Sequence, residues 1–310
     1  MTQLSVLVSL ATEASDFQRE QAQAAKEAAA RLDMAAQVVF AQNDALTQSE
    51  QLLGIIQGDR SQRPQAIVIQ PCGQTALPHV ARAAAAAGIA WVVLNWSVDY
   101  LADLRERYGV PAFIVSSDQL EIGRIQGRQA AALLPQGGSV LLVTGPGNSP
   151  STRLRSEGWL ETKPANIQGR ALKSEGWTEQ DGARSVDAWL RLATARQTRY
   201  DAVVGQSDML ALGARSALQG SRNGKRPDSN SELPFAGVDG LPHGGRAWVQ
   251  QGILAATVVV PTNAGTALEM LSQAIRTGVQ PAEITYTTPA SYPSLPDLAL
   301  KAKRAEATSR

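Results

Sequence analysis

The sequence predicts an α/β fold made of two doubly wound parallel-sheet lobes, and three observations carry that prediction. Short runs rich in Val and Ile recur along the chain and are apolar throughout rather than alternating. Strands buried on both faces of a parallel sheet read this way. Stretches of helix-forming composition fall between them, and strands alternating with helices wind into a sheet covered on both sides. The units are too many for one sheet of ordinary size, and 310 residues suffice for two domains. A division near 112–120, AFIVSSDQL, leaves two sheets of similar length.

The elements follow in order. LSVLVSL (4–10) is the first strand, and DFQREQAQAAKEAAARL (16–32), dense in Ala, Gln and Glu, the first helix. AQVVFA (36–41), QAIVIQ (65–70), IAWVVLN (89–95) and AFIVS (112–116) are the next strands. The helices ALTQSEQLLGIIQG (45–58) and QTALPHVARAAAAAG (74–88) lie among them, Pro78 being suited to a first turn. Beyond the division come the helix QLEIGRIQGRQAAALL (119–134), the strand GSVLLVT (138–144), a strand near residue 170 and the helix TEQDGARSVDAWLRLATA (178–195). DAVVGQ (201–206) precedes a helical pattern opening at Met209; PFAGV (234–238), AATVVV (255–260) and the helix NAGTALEMLSQAIRTG (263–278) follow. The Gly-rich segment GVDGLPHGGRAW (237–248) is expected to be a loop. SYPSLPDLALKAKRAEATSR (291–310) is expected to be a surface-lying or frayed tail.

Composition excludes several functions. A net charge of +1 offers no field for nucleic acid or anionic membrane. The single cysteine, Cys72, forms no intramolecular disulfide and leaves the redox compartment open. The opening MTQLSVLVSLATEAS lacks a basic leader region and reads as a core strand rather than a signal peptide. ARAAAAAGIAWVVLNW (81–96) contains Arg82 and Gly88 and is short for a bilayer span, so no membrane insertion is expected. GPGNSP lacks the third glycine of a dinucleotide loop, and GQSDM lacks the second glycine of a nucleophile elbow. His79 and His243 lie far apart, with no metal-ligand cluster and no Walker loop. No cofactor, metal or catalytic residue is expected, and the chain does not read as an enzyme.

Polar clusters gather where strands end. Asp16 and Phe17 follow the first strand; Gln70-Pro71-Cys72-Gly73, then Asn95 and Trp96, follow later ones. In the second half come Asn148 and Arg155, then Trp177, then Ser207 and Asp208, then Asp239 and Gly240. Open parallel sheets bind ligands at this edge. Amides, carboxylates and a guanidinium satisfy sugar hydroxyls, and aromatic faces cover sugar C–H surfaces. Each residue also has a plainer role. Phe17 and Trp177 suit packing, Asp16 and Asp208 suit helix caps, and Asp239-Gly240 suits a turn. Arg155 suits an exposed helix face.

The motifs VLVSL, IVIQP, GIAWVVLN, SSDQLEIGRIQGRQAA, RLRSEGW, VVGQSDMLALGARSAL, AGVDG and QGILAATVVV run through nearly the whole chain. Together they resemble the type I periplasmic sugar-binding protein family, the ribose- and galactose-binding-like substrate-binding proteins of ABC transporters. That family shares its fold with the effector domains of lactose-repressor-like regulators. No helix-turn-helix segment is seen before the first strand, so a repressor reading lacks its DNA-binding part.

The resemblance implies Rossmann-like lobes joined by a three-strand hinge, with a ligand cleft between them. Residues 1–117 and 261–283 would form the N-terminal lobe, and 118–260 and 284–310 the C-terminal lobe. Asp118 and Val260-Pro261 would lie at two hinges. Phe17 and Trp177 match aromatics that stack on the sugar from either lobe. Arg155 matches an arginine binding ring or hydroxyl oxygens, Asp239 a carboxylate accepting hydroxyl hydrogen bonds, and Asn95 a position held by Asn or Asp. Trp96 and Ser207 complete the principal set, with Asp16, Gln70, Asp118, Asn148 and Asp208 added to it. Ser207 is expected to point into the cleft and Asp208 to cap its helix and orient neighbours.

The sequence departs from the pattern. Ser207 stands where many members have Asn, Trp96 where ribose binders often have Arg, and Val260 where some have a polar hinge residue. SVDYLADLRERYGVP (97–111) is longer than in compact pentose binders. These changes weigh against ribose and toward a more apolar cleft or a bulkier ligand. The implied function is capture of a small sugar or polyol by hinge closure and delivery to a membrane permease. The alternative is a sensory module signalling to a receptor or kinase without transport. A periplasmic monomer, its leader removed or trimmed, is implied, with the cytoplasm as the alternative location.

Overall fold

Two units emerge from the computed structural model, which describes residues 3–72, 76–192, 200–220 and 233–308. One comprises Met1–Ser117 with Thr262–Thr287, the other Asp118–Pro261 with Thr288–Arg310. The chain begins with β1 (Leu4–Leu10), α1 (Asp16–Arg31), β2 (Met34–Phe40), α2 (Ala45–Gln57), β3 (Ala66–Ile69), α3 (Pro78–Ala86), β4 (Ala90–Leu94), α4 (Leu101–Tyr108) and β5 (Ala112–Ser117). It continues with α5 (Gln119–Leu133), β6 (Gly138–Thr144), α6 (Pro150–Thr162), β7 (Ile167–Lys173), α7 (Glu179–Leu190), β8 (Ala202–Gly205), α8 (Asp208–Gly220), β9 (Phe235–Asp239), α9 (Gly245–Gln250) and β10 (Ala256–Val259). α10 (Asn263–Thr277) and β11 (Ile284–Thr287) return to the first unit; β12 (Ala290–Tyr292) and α11 (Leu295–Thr308) return to the second. Gly73 and the segment 193–195, both within sequence-predicted features, lie outside the described residues.

Each unit is built on a six-stranded sheet, ordered β2-β1-β3-β4-β5-β11 in the first and β7-β6-β8-β9-β10-β12 in the second. Every pairing is parallel except β10 with β12. The winding direction reverses between β1 and β3, and again between β6 and β8. In open parallel sheets that reversal opens a crevice outside the carboxyl ends of the strands.

The burial of both strand faces follows from period-two geometry. In the first unit Val8, Leu10, Val68, Val92 and Phe113 pack against Ala25 and Ala28 of α1 and Ala267, Leu268 and Leu271 of α10. Leu7, Ile67, Ile69, Trp91 and Ile114 face the other way, onto Leu52, Val80, Leu101 and Leu104 of the opposite helices. In the second unit Leu141, Val143 and Val203 meet α7 and α8, while Val140, Leu142 and Val204 meet Trp159 of α6 and Leu298 of α11. Gly123 and Gly158 let α5 and α6 touch backbone to backbone. A Cβ on Gly158 would strike the Leu120 carbonyl oxygen and come within 2.8 Å of the Arg124 nitrogen.

The structure differs from the sequence reading in four places. The segment 237–248, expected as a loop, contains the start of α9, a helix of six residues that opens at its last glycine. The tail is helical through α11, anchored by buried Leu298. α4 occupies the insertion at 97–111. Residues 284–287, assigned by resemblance to the C-terminal lobe, form β11 and pair with β5 of the first sheet.

Candidate functional site

At the carboxyl edge of the first sheet, amides bond to one another. Asn95 ends β4 with a left-handed backbone, φ 56°, a conformation Asn tolerates better than most residues. Its Nδ2 donates to Gln70 Oε1 at 2.9 Å, and its Oδ1 accepts from the Ser117 backbone N–H at 3.2 Å and from Asn263 Nδ2. The backbone donor fixes which end of the Asn95 amide is oxygen. Gln70 is held in turn by its own N–H on Ser9 O at 2.8 Å and by Gln48 Nε2 on its carbonyl at 3.0 Å. Phe17 is half-buried in the first turn of α1. Trp96 is half-buried against the core beneath α3 and α4.

The corresponding edge of the second unit is charged. Arg155 on α6 is buried; its Nε donates to Gln119 Oε1 at 2.8 Å and its Nη1 to the Gln206 carbonyl. The Trp177 ring lies over the guanidinium, 5.5 Å from carbon to centroid, a cation–π arrangement. Burial pulls the Arg155 pKa down, and the charges of Asp239 and Asp208 oppose that pull. Gln206, which follows β8 as Gln70 follows β3, ties the strand ends to α6. Its Oε1 accepts from the Gly145 N–H at 3.1 Å, and its Nε2 donates to Ser156 Oγ at 3.0 Å.

The capping role expected of Asp208 falls to Ser207. Ser207 Oγ accepts from the Leu210 N–H at 3.1 Å, so Ser207 is the side chain that caps α8. Asp208 is the first helical residue, and its carboxylate turns into the protein. Oδ2 accepts from the Gly240 N–H at 2.8 Å and Oδ1 from Thr257 Oγ1 at 2.6 Å. A Cβ on Gly237 or Gly245 would collide with this carboxylate, which accounts for two glycines of the Gly-rich segment. Burial first, and then the charge of Asp239, raise the Asp208 pKa well above its ordinary value; Thr257, Gly240 and Arg155 act against them. Asp239 ends β9 with φ 111°, strained for a residue other than glycine.

The structure thus brings Gln70 and Asn95 together in one unit, and Arg155, Trp177, Ser207, Asp208 and Asp239 in the other. It leaves Asn148 exposed on the loop before α6. Asp118 caps α5, accepting from the Glu121 N–H at 2.9 Å, and Asp16 pairs with exposed Arg19. Ser15, not Asp16, supplies the side-chain cap of α1. Gln119, Gln206, Thr257 and Asn263 were missed as site-building residues. Thr257 is a lone polar residue in an apolar strand, while Gln119, Gln206 and Asn263 stand beside other polar residues at helix starts, a signal shared with ordinary caps and turns.

Among the described residues no group of His, Cys, Asp and Glu could hold a metal, and no helix is long and apolar enough to cross a membrane. A family model described as a periplasmic binding protein domain matches residues 6–278. A putative rhizopine-binding protein of Rhizobium meliloti is 26% identical over 207 residues, 66% of this chain but 62% of that relative's length. An ABC transporter periplasmic solute-binding protein of Actinobacillus succinogenes, solved with bound D-allose, superimposes with TM-score 0.79 at 19% identity, over 93% of this chain and 97% of that one. A fructose-binding periplasmic domain of a hybrid two-component system gives 0.75 at 20% identity, over 99% and 96%. The resemblance read from the motifs and the doubly wound two-unit fold agree with these matches, and the chain belongs to the periplasmic binding protein family.

Proposed function

We propose that this protein binds one small sugar or polyol, using the carboxyl edges of both sheets, and delivers it to a membrane permease. The observation that supports this most is the Arg155–Trp177 stack beside Asp239, a guanidinium, an aromatic face and a carboxylate gathered at one sheet edge. Hydroxyl-rich ligands take that combination. The amides of Gln70 and Asn95 add hydrogen-bonding groups, and Phe17 and Trp96 add aromatic surface. A ligand touching both units binds their closed arrangement more tightly and shifts the equilibrium toward it. The closed form is what a permease in the membrane of a periplasm-bearing cell would read. The sensory reading stays as an alternative because one structural neighbour is a periplasmic domain of a two-component system.

The test is thermal unfolding of refolded protein, freed of carried-over ligand, against monosaccharides, polyols and inositols. A ligand of the native state at a hundredfold its Kd adds about 2.7 kcal/mol of stability. The expected result is a concentration-dependent rise in Tm for one compound, abolished in W177A and D239A. A flat response across the panel would overturn the sugar or polyol reading. Stimulation of permease ATPase by the loaded protein would separate transport from sensing.

A further inference from the structure

The chain passes between the units three times, after Ser117, Pro261 and Thr287. In each unit one buried amide ties together the three elements that lead to or from these crossings. In the first unit it is Asn263, the opening residue of α10. Its Nδ2 donates to Ser117 Oγ at the end of β5 at 3.1 Å, and its Oδ1 accepts from Thr287 Oγ1 at the end of β11 at 2.7 Å. Thr287 Oγ1 also lies 3.4 Å from Ser117 Oγ. Gln21 steadies the start of α10, its Oε1 accepting from the Ala264 N–H at 2.9 Å.

In the second unit the amide is Gln129 of α5. Its Nε2 donates to Thr257 O in β10 at 3.0 Å and to Ser291 Oγ in β12 at 3.0 Å. The Ser291 hydroxyl donates onward to Pro293 O at 2.6 Å. Thus α5, which starts just past the first crossing, is tied to the strand before the second crossing and the strand after the third. Packing alone does not account for this residue. Gln129 is 0% exposed and its Oε1 has no hydrogen-bond partner among the described residues. A buried amide oxygen left that way is unfavourable, and an apolar side chain of the same size would avoid it.

Between the two fastenings the backbone outside helices and strands is short: residue 118, residues 260–262 and residues 288–289. We propose that Asn263 and Gln129 are positioning residues, paired amide clasps that bundle the three crossings at either end and confine bending between the units to those segments. Asn263 also donates to Asn95 Oδ1, so the first clasp shares an amide with the candidate ligand site. This coupling to a ligand rests on the proposed function; the confinement of bending does not.

The test uses the full ligand-free chain with spin labels on Leu46→Cys and Leu160→Cys, each 66% exposed, one in each unit. Native Cys72 is buried, with its thiol pushed up to about 11 by burial and by Asp44, so the introduced sites take the labels. Q129M keeps the length of the side chain without its amide, and T287V keeps its shape without the hydroxyl. The expected result in each is a distribution of interunit distances broadened about twofold, with circular dichroism unchanged. N95G, which suits the left-handed backbone there, should broaden it too by releasing one donor of Asn263. Parental distributions in both Q129M and T287V would overturn the clasps. A parental distribution in N95G alone would overturn the coupling. A protein that binds no sugar or polyol while Q129M and T287V broaden would leave the clasps standing and remove the proposed ligand.

Discussion

Asp208→Asn should make the protein more stable at neutral pH, and the reason lies in where the carboxylate sits. It is buried and, among the described residues, accepts two hydrogen bonds, from Gly240 N–H and Thr257 Oγ1. Its pKa nevertheless stands well above 3.8, because burial and the Asp239 charge outweigh those bonds and Arg155. An acid weaker in the folded than in the unfolded chain makes the native state hold more protons between the two pKa values. Stability from this group therefore falls as pH rises through that window, and the penalty is complete above the folded pKa. Each tenfold weakening of the acid corresponds to about 1.4 kcal/mol at neutral pH.

Asn removes the charge and keeps the shape. Its oxygen can take the Gly240 N–H, and its amide can donate to Thr257 Oγ1 once that hydroxyl turns. The expected gain at pH 7 is about 1–2 kcal/mol, or roughly 2–8 °C in Tm for domains of this size. The assay is thermal unfolding of parent and variant from pH 4 to pH 8. The advantage should shrink as pH falls toward 4, where the parent carboxyl is protonated in the folded chain and partly protonated in the unfolded one. A variant less stable than the parent at pH 7, by an amount that does not change with pH, would refute this account of Asp208.

Gly158→Ala should destabilise the second unit by about 1–3 kcal/mol in denaturant unfolding, since its Cβ meets the Leu120 carbonyl and the helices must part. A change below about 0.5 kcal/mol would mean that α5 and α6 have room to give. Cys72, with its thiol raised to about 11 by burial and Asp44, should resist iodoacetamide at pH 8 until the chain unfolds. Rapid labelling of folded protein would contradict that. Burial works against ionised Asp181, but hydrogen bonds from Thr178 and the charge of Arg184 lower its pKa overall. Its contribution is present above pH 3.8 and lost as pH falls through the lower folded value. Asp181→Ala should cost about 1 kcal/mol at pH 7 and less in strong acid, as read by urea midpoints.

The sheets were legible because both faces of their central strands are buried, which writes apolar runs into the sequence. What escaped was local and short. α4 buries only Leu101 and Leu104, too few for a helical period to stand out. β11 and β12 are edge strands of four and three residues with no fully buried position, so they carry no apolar run. The tail reads as charged because most of its surface is solvated, and Leu298 alone shows which face is held.

The candidate site was legible to a different depth. Small polar residues interrupting apolar runs mark the carboxyl edges of the sheets, so Asn95, Ser207 and Asp239 could be placed there. Their individual tasks depend on partners far along the chain. Ser and Asp both accept hydrogen bonds from a helix start, so SD at 207–208 does not reveal which of them caps. That was decided by Gly240 and Thr257, 32 and 49 residues beyond Asp208, which give its carboxylate somewhere else to go. Asn263 is the same case in reverse. At a helix start after Pro261 and Thr262 it looks like one more capping residue, yet its partners are Asn95, Ser117 and Thr287, brought beside it by the strand order β4-β5-β11. Periodicity reports what a side chain is buried against on average, while a buried amide is explained by the few atoms it bonds. Those atoms are known only once the strands are in register.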